Sequence, residues 1–199
     1  HMKKIKGTRK IVLIIVLVAL VLGYYFYLSN RNTPAGSEET DAETMTESER
    51  VLSRDLQTNY PPTPREVVKY FSEITECFYN EEHTDEELQA LGLRMREIYD
   101  DELVNNQKEE TYLDLLKSDV EDFKENGRTI SSFAPSSSLD VETFEKDGHE
   151  CARLYCVYDI KQDGLLYQTT LCFILRKDED SHYKIYGWKA VNPNKQTSE

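Results

Sequence analysis

The chain has 199 residues, with 24 basic against 37 acidic side chains and a net charge of −13 at neutral pH. Six of the basic residues and none of the acidic ones precede residue 32, so the rest of the chain carries about −19. A surface this acidic repels phosphate backbones and anionic lipid headgroups, and the composition therefore predicts no nucleic-acid partner.

An apolar run from Ile11 to Leu28 follows a basic start of the chain. A helix over this run would rise about 27 Å, close to the thickness of bilayer hydrocarbon, so it predicts a transmembrane helix over residues 11–28. The basic residues place the tail of residues 1–10 in the cytoplasm. The alternative, a cleavable signal peptide, would need small residues at its cleavage site, but bulky aromatic residues occupy that place at 24–27. The sequence thus predicts a signal anchor: a single-pass protein of the cell membrane with an extracellular C-terminal domain.

The next segment, residues 29–62, is acidic and rich in Ser, Thr and Pro. Such a composition cannot support a core and predicts a flexible tether, with a short helix over Glu47 to Leu56 as an option within it. Residues 63–192 are long enough for one domain with a single core, and residues 193–199 are expected to form a disordered tail.

Three helices are predicted at the start of this domain. Thr63-Pro64-Arg65-Glu66 and Thr84-Asp85-Glu86-Glu87 have the spacing of capping boxes, in which a threonine and a glutamate satisfy free N–H groups at a helix start. Asn106 is the predicted cap of the third helix, and Gly127 its end. Apolar residues follow each start at helical spacing and are expected to face the core. In the second helix this spacing continues from Leu88 to Leu103.

From Thr129 the apolar period changes to two, which predicts a β-meander. Strands are expected over 137–145, 150–161, 165–176 and 182–191, with a short earlier strand near 130–133, and Asp147-Gly148 and Asp163-Gly164 are hairpin turns. The overall prediction is an α+β fold: three helices packed on a curved antiparallel sheet of four to five strands, preceded by one transmembrane helix. The outer face of the sheet is more apolar than a solvated face needs, which favours a protein partner or a homodimer contact there.

Two disulfides in one of three arrangements, or four free thiols, are compatible with the cysteines, which are Cys77, Cys151, Cys156 and Cys172. Their spacing matches no zinc motif, so no metal site is predicted. If Asp163-Gly164 forms a two-residue turn, Tyr155 lies opposite Cys172 and Cys156 opposite Leu171. One extra loop residue would place Cys156 opposite Cys172, so a bridge depends on this register.

Helices followed by a meander that ends in Tyr183-Lys184-Ile185-Tyr186-Gly187-Trp188 resemble the nuclear-transport-factor-like (cystatin-like) cone, in which a bent sheet wraps a long helix. The segments 59–68, 77–82 and 152–156 also resemble a family of uncharacterised single-pass surface proteins of Gram-positive bacteria. The resemblance implies an extracellular domain and brings no site residues. Because the cone superfamily includes isomerases, dehydratases, ligand carriers and scaffolds, it implies no single function.

No nucleophile elbow, phosphate loop, zinc-protease histidine pair or calcium loop occurs in the sequence, so no catalytic residue and no cofactor are predicted. His83, His149 and His182 are expected on the surface. Asp159 is the one acid placed within a strand, and a catalytic role would require an apolar pocket that raises its pKa. Its expected position on the wetter face argues against that role.

Aromatic residues are frequent in the predicted strands, and they either fill the interior or line a pocket or interface. The candidates are Tyr155, Tyr158, Tyr167, Tyr186 and Trp188.

The leading functional prediction is a membrane-anchored, non-catalytic module for protein contact or scaffolding. Binding of a small molecule or peptide inside the cone is the alternative, followed by an isomerase- or dehydratase-type enzyme; both require an open cavity.

Overall fold

A computed structural model of the chain describes residues 45–191. Within this range there are five α-helices, one 3-10 turn and five β-strands. The helices are α1 (Glu47–Ser53), α2 (Pro64–Asn80), α3 (Asp85–Arg96), α4 (Asp101–Asn105) and α5 (Glu109–Glu125). The strands are β1 (Arg128–Pro135), β2 (Glu142–Lys146), β3 (His149–Gln162), β4 (Leu165–Lys177) and β5 (Tyr183–Val191), with the 3-10 turn at Ser138–Asp140.

Short polar side chains define the starts of the first helices. Thr63 accepts a hydrogen bond from the Glu66 N–H at the start of α2, where Pro64 is the first helical residue. At α3, Thr84 and Glu87 form a complete capping box. Both starts were predicted from the sequence. The predicted cap of the third helix is wrong, because α5 begins after Lys108, which makes no side-chain cap, and Asn106 instead ends α4.

The strands form one antiparallel sheet in the order β1-β3-β4-β5, and β2 pairs with β3 beyond the end of β1. The turns at Asp147-Gly148 and Asp163-Gly164 have positive φ at both residues, which is the geometry of a tight two-residue hairpin. The second of these turns sets the register of β3 and β4. Tyr155 therefore lies opposite Cys172, as the two-residue turn predicted.

A single core lies where the helices pack on one face of the sheet. Its most buried members include Ile74 of α2, Leu91 of α3, Leu154 of β3, Phe173 of β4 and Ile185 of β5, none of which has measurable exposure. Alternate apolar residues of β3, from Ala152 to Ile160, predict that one face of this strand packs on the helices. Every second residue from Ala152 to Tyr158 is indeed buried, and Ile160 is half-buried.

The prediction of three helices is wrong: five precede the sheet in the described range. The predicted second helix extended to Leu103, but α3 ends at Arg96 because Ile98 and Asp100 leave it to bond the edge strand β5. The Ile185 N–H donates to the Ile98 carbonyl at 2.8 Å and the Asp100 N–H to the Ile185 carbonyl at 2.9 Å. Asp100 then caps the separate helix α4.

The flexible tether predicted over 29–62 also needs correction in its described part. The optional helix is present as α1, and Val51 and Leu56 are buried in the core. Residues 29–44, the predicted cytoplasmic tail of residues 1–10 and the predicted disordered tail of 193–199 lie outside the described residues.

The predicted placement in a membrane is corrected as well. No helix within residues 45–191 is long and apolar enough to cross a bilayer. The longest of them, α2 and α5, have 17 residues each and are interrupted by charged side chains. The predicted transmembrane helix of residues 11–28 lies outside the described range. The described structure therefore gives no support to a single-pass membrane protein or to the extracellular placement that depended on it.

Candidate functional site

A cavity of about 600 Å³ lies between the helices and the sheet. Helices α2 to α5 and strands β1, β3, β4 and β5 all contribute to its walls. The lining residues are Phe71, Thr75, Phe78, Tyr79, Met95, Arg96, Tyr99, Leu103, Val104, Gln107, Tyr112, Leu115, Leu116, Asp119, Phe123, Ile130, Tyr158, Ile160, Thr169, Leu171 and Trp188.

Aromatic rings form much of the wall and pack against one another. Trp188 lies 5.1 Å from Phe71 and 5.5 Å from Tyr99 between ring centroids, and Tyr79 lies 4.1 Å from Phe123. Such pairs keep their rings in fixed orientations, since each ring meets the edge or face of its neighbour. The cavity is therefore bounded by rigid, largely apolar surface.

A β-bulge in the edge strand brings Trp188 into this wall. Ile174 pairs with Gly187 while the next residue, Leu175, pairs with Ile185, so Tyr186 is an extra residue in β5. An extra residue reverses the alternation of side chains along the rest of the strand. Trp188 consequently pairs with Phe173 and turns one side of its ring toward the cavity, although it remains 40% exposed; Tyr186, 42% exposed, is outside the lining.

Three of the tyrosine hydroxyls of the cavity wall have hydrogen-bond partners in the protein. Tyr158 Oη lies 2.6 Å from Ser72 Oγ, Tyr112 Oη donates to the Gly92 carbonyl at 3.0 Å, and Tyr79 Oη donates to Asp119. Burial raises the pKa of Tyr112 to about 12, and it also raises the pKa values of Tyr79, Tyr99 and Tyr158 above their ordinary value. These phenols are therefore neutral hydrogen-bonding groups at physiological pH.

Arg96 is the one cationic residue among the lining residues. Its Nη2 donates to the carbonyls of Val104 and Gln107 at 3.2 and 3.4 Å, and its guanidinium lies 5.2 Å from the Tyr112 ring centroid. Its Nη1 is buried and finds no hydrogen-bond partner among the described residues. One donor of this buried cation therefore makes no hydrogen bond, and the atom itself has almost no accessible surface, so it does not face the cavity.

A known protein family matches the part of the chain that contains all of the cavity-lining residues. The model of that family, described as a domain of unknown function (DUF6715), matches residues 2–188. The chain belongs to the DUF6715 family. A search of curated proteins finds no significant match. The family description names neither a cone fold nor bacterial surface proteins, so those resemblances remain predictions.

In this DUF6715 chain the five candidate aromatic residues separate into two groups. Tyr158 and Trp188 line the cavity. Tyr155 and Tyr167 are exposed, and neither lines it. Tyr186 lies over the Arg176 guanidinium, 4.8 Å from it, and donates a hydrogen bond to Glu102 at 2.9 Å. The structure therefore does not bring the five together.

Asp159 has the surroundings expected of a surface acid. It accepts hydrogen bonds from Ser132 Oγ at 2.6 Å and from Gln168 Nε2 at 2.8 Å. These bonds lower the pKa of Asp159 from its ordinary value, which is the opposite of what a general acid or base in an apolar pocket requires. Asp159 is also absent from the cavity lining.

The predicted surface position of the histidines is wrong for His83. Its side chain is 3% exposed, with Nε2 at 2.5 Å from the Cys77 carbonyl and Nδ1 at 3.6 Å from Glu87. These contacts attach the α2-α3 connection to the end of α2. His182 stacks on Tyr60 with ring centroids 4.2 Å apart, and His149 is exposed.

All four cysteines are free and buried, so none of the three arrangements of two disulfides is present. Asp178, Asp180 and His182 place ligand-type atoms within 4.8 Å of one another. The Asp178 carboxylate, however, accepts the N–H groups of Asp180 and His182 at 2.9 Å each. This cluster is therefore explained by closure of the β4-β5 turn, and it offers no independent sign of a metal.

Sequence reasoning missed most of the cavity wall because its residues belong to helices. Tyr79, Tyr99 and Tyr112 occupy positions that helical periodicity assigns to the core or to a helix end, and Arg96 has the position of a helix-terminal cation. The available signal was the polar tip on these otherwise apolar side chains, since tyrosine at a core position needs a partner for its hydroxyl.

Proposed function

We propose that this chain is a non-catalytic binding module that takes a small, largely apolar molecule into the cavity between its helices and its sheet. The single observation behind the proposal is the cavity itself: about 600 Å³, within the range of small-molecule sites, and walled by aromatic and aliphatic side chains. A scaffold that acts only through its outer surface needs no such space.

The chemistry of the lining supports binding rather than reaction. The tyrosines of the cavity wall are neutral at physiological pH because their pKa values are raised. Asp159, the acid that the sequence analysis considered, does not line the cavity. A few polar groups among many apolar ones give orientation to a ligand while apolar burial gives affinity.

The chain supplies its own reporter for a test, because Trp188 is its single tryptophan and lines the cavity. Nile red, an uncharged dye whose emission rises in apolar surroundings, is titrated into the full chain while Trp188 fluorescence is followed. Saturable dye emission with a matching change at Trp188 is the expected result.

Two neighbouring threonines of β4 provide a matched pair of variants. Thr169 lines the cavity, whereas Thr170 has the next position along the strand and is outside the lining. Thr169→Phe fills the cavity and should weaken dye binding about tenfold, the equivalent of about 1.4 kcal/mol of lost contact. Thr170→Phe adds the same side chain on the other face and should leave binding unchanged. Equal dye affinity in both variants and the parent chain would overturn the proposal.

A further inference from the structure

Asp119 is the one acidic residue among the residues that line the cavity, and it lies at the opening of the cavity. Its side chain is exposed to solvent, as is that of Leu115, which precedes it by about one helical turn on α5 and also belongs to the lining. A carboxylate in this position can be reached from solvent and from the cavity. A ligand can therefore contact Asp119 while the rest of the ligand lies inside.

One of the two carboxylate oxygens of Asp119 is already engaged. The Tyr79 hydroxyl donates to Oδ2, and the Tyr79 ring lies 4.1 Å from the Phe123 ring between centroids. No hydrogen bond from the described residues reaches Oδ1. The hydroxyl thus orients the carboxylate beside an aromatic pair and leaves one oxygen free to accept a hydrogen bond.

No positively charged side chain in the described part of the chain forms an ion pair with Asp119. The two lysines of α5 pair with other acids: Lys117 lies 3.0 Å from Asp85, and Lys124 lies 3.6 Å from Glu82. The opening of an otherwise apolar cavity therefore carries an acceptor whose natural partner, a cation, is supplied by no described residue.

We infer that the ligand of this cavity carries one ammonium group, which binds the Asp119 carboxylate at the opening while the apolar body of the ligand lies against the aromatic wall. This inference rests on the proposed function and specifies its ligand class as an apolar amine. An ammonium group offers N–H donors, and a charge-assisted hydrogen bond to a carboxylate is stronger than one between neutral groups. The neighbouring rings of Tyr79 and Phe123 favour a cation further, because aromatic faces attract positive charge.

The cation of the lining, Arg96, lies at another place along α5. Its guanidinium is 5.2 Å from the ring centroid of Tyr112, which precedes Asp119 by about two helical turns, or about 10 Å along the helix axis. Backbone carbonyls hold Arg96 Nη2, and Nη1 has almost no accessible surface. Arg96 therefore does not compete for Asp119. The net charge of the chain, −13, also favours the approach of a cation over that of an anion.

The test compares octylammonium with 1-octanol, which have the same chain length and differ in their head group. Each competes with Nile red on the full chain, at concentrations that form no micelles, followed through dye emission and Trp188 fluorescence. Octylammonium is expected to bind about tenfold more tightly than 1-octanol, as one charge-assisted hydrogen bond in place of a neutral one allows. Octanoate, which has the opposite charge, should bind more weakly than 1-octanol.

Two aspartate variants on α5 then locate the preference. Asp119→Asn removes the negative charge, keeps an oxygen that can accept from the Tyr79 hydroxyl, and should abolish the preference for octylammonium. Asp114→Asn removes the same charge from the same helix, at an exposed residue outside the lining, and should keep the preference.

The outcomes separate the two proposals. Equal affinity of the parent chain for octylammonium and 1-octanol, or tighter binding of octanoate than of 1-octanol, would overturn the amine inference and leave the binding function in place. This comparison needs no variant to fold. An unchanged preference in Asp119→Asn, or an equal loss in Asp114→Asn, would overturn the role of Asp119. Failure of all three probes and of Nile red to bind would overturn the binding function itself.

Discussion

Removal of Asp100 from its ion pair with Arg176 should be one of the most destabilising single changes outside the apolar core. Arg176 of β4 donates to both carboxylate oxygens of Asp100, with Nε–Oδ2 at 2.9 Å and Nη2–Oδ1 at 2.7 Å. Both side chains are largely buried, at 18% and 7% exposure. The same carboxylate caps α4 through the Glu102 N–H. Asp100 therefore holds the α4 wall of the cavity against the sheet.

The cost of Asp100→Ala can be worked from these contacts. Removal of one partner from a buried ion pair costs about 3–5 kcal/mol, and loss of an N-cap about 1 kcal/mol. Arg176 keeps Glu102 at 3.2 Å and the ring of Tyr186, which offsets part of the loss. A net loss of about 3 kcal/mol is expected, or roughly 10 °C in Tm for a domain of this size.

Urea and thermal denaturation followed by circular dichroism measure this loss. Asp100→Asn retains an acceptor for the cap and should cost about half as much. Glu142→Gln is the control, since it breaks the exposed pair of Glu142 with Arg153 at 3.0 Å and should cost less than about 1 kcal/mol. If Asp100→Ala cost no more than Glu142→Gln, the pair would not fasten α4 to the sheet and the reasoning would be refuted.

Three other predictions concern the core, a turn and a thiol. Leu154→Ala should lower the free energy of unfolding by about 2–5 kcal/mol in urea denaturation, whereas Leu139→Ala, at a 96% exposed position, should leave it unchanged. Gly164→Ala should cost about 1 kcal/mol because φ is +78°, while Gly187→Ala, with no such φ and no neighbouring atom, should not. Burial raises the pKa of Cys77 from 9.0 to about 12, so the stability it contributes is complete below pH 9 and is lost as pH rises toward 12. A Cys77→Ala variant should show a flatter decline of unfolding free energy over that range; an unaltered decline would contradict the shift.

Local signals in the sequence were sufficient for the parts of the fold that depend on neighbours along the chain. Thr63 and Thr84 start helices because their side chains bond an N–H three residues away, and that spacing is visible in the sequence. Likewise, Asp163-Gly164 adopts positive φ at both positions and so determines the pairing of Tyr155 with Cys172.

Features that depend on distant residues could not be predicted in the same way. The apolar stripe that continues from Met95 to Ile98 and Leu103 suggests one helix, but Ile98 bonds Ile185, which is far away in sequence. The bulge at Tyr186 has one local sign, Gly187, since a glycine inside a strand often accompanies a bulge, but the glycine alone does not show which residue is extra. The candidate site was the least predictable feature, because its cationic residue, Arg96, differs from other arginines at helix ends only in what surrounds it in the folded chain.

The burial of α1 has a practical consequence for the smallest piece of this protein that can fold. A chain cut in the proline-rich stretch before α2 would lose the Val51 carbonyl that accepts the Tyr70 hydroxyl at 2.5 Å, and the Leu52 and Arg54 carbonyls that accept from Arg94. The Tyr70 hydroxyl and the two Arg94 N–H groups would then lack their acceptors, on an apolar surface that the cut newly exposes. Truncations intended for binding or stability measurements should therefore start at or before residue 45, although composition alone favours a start near residue 63.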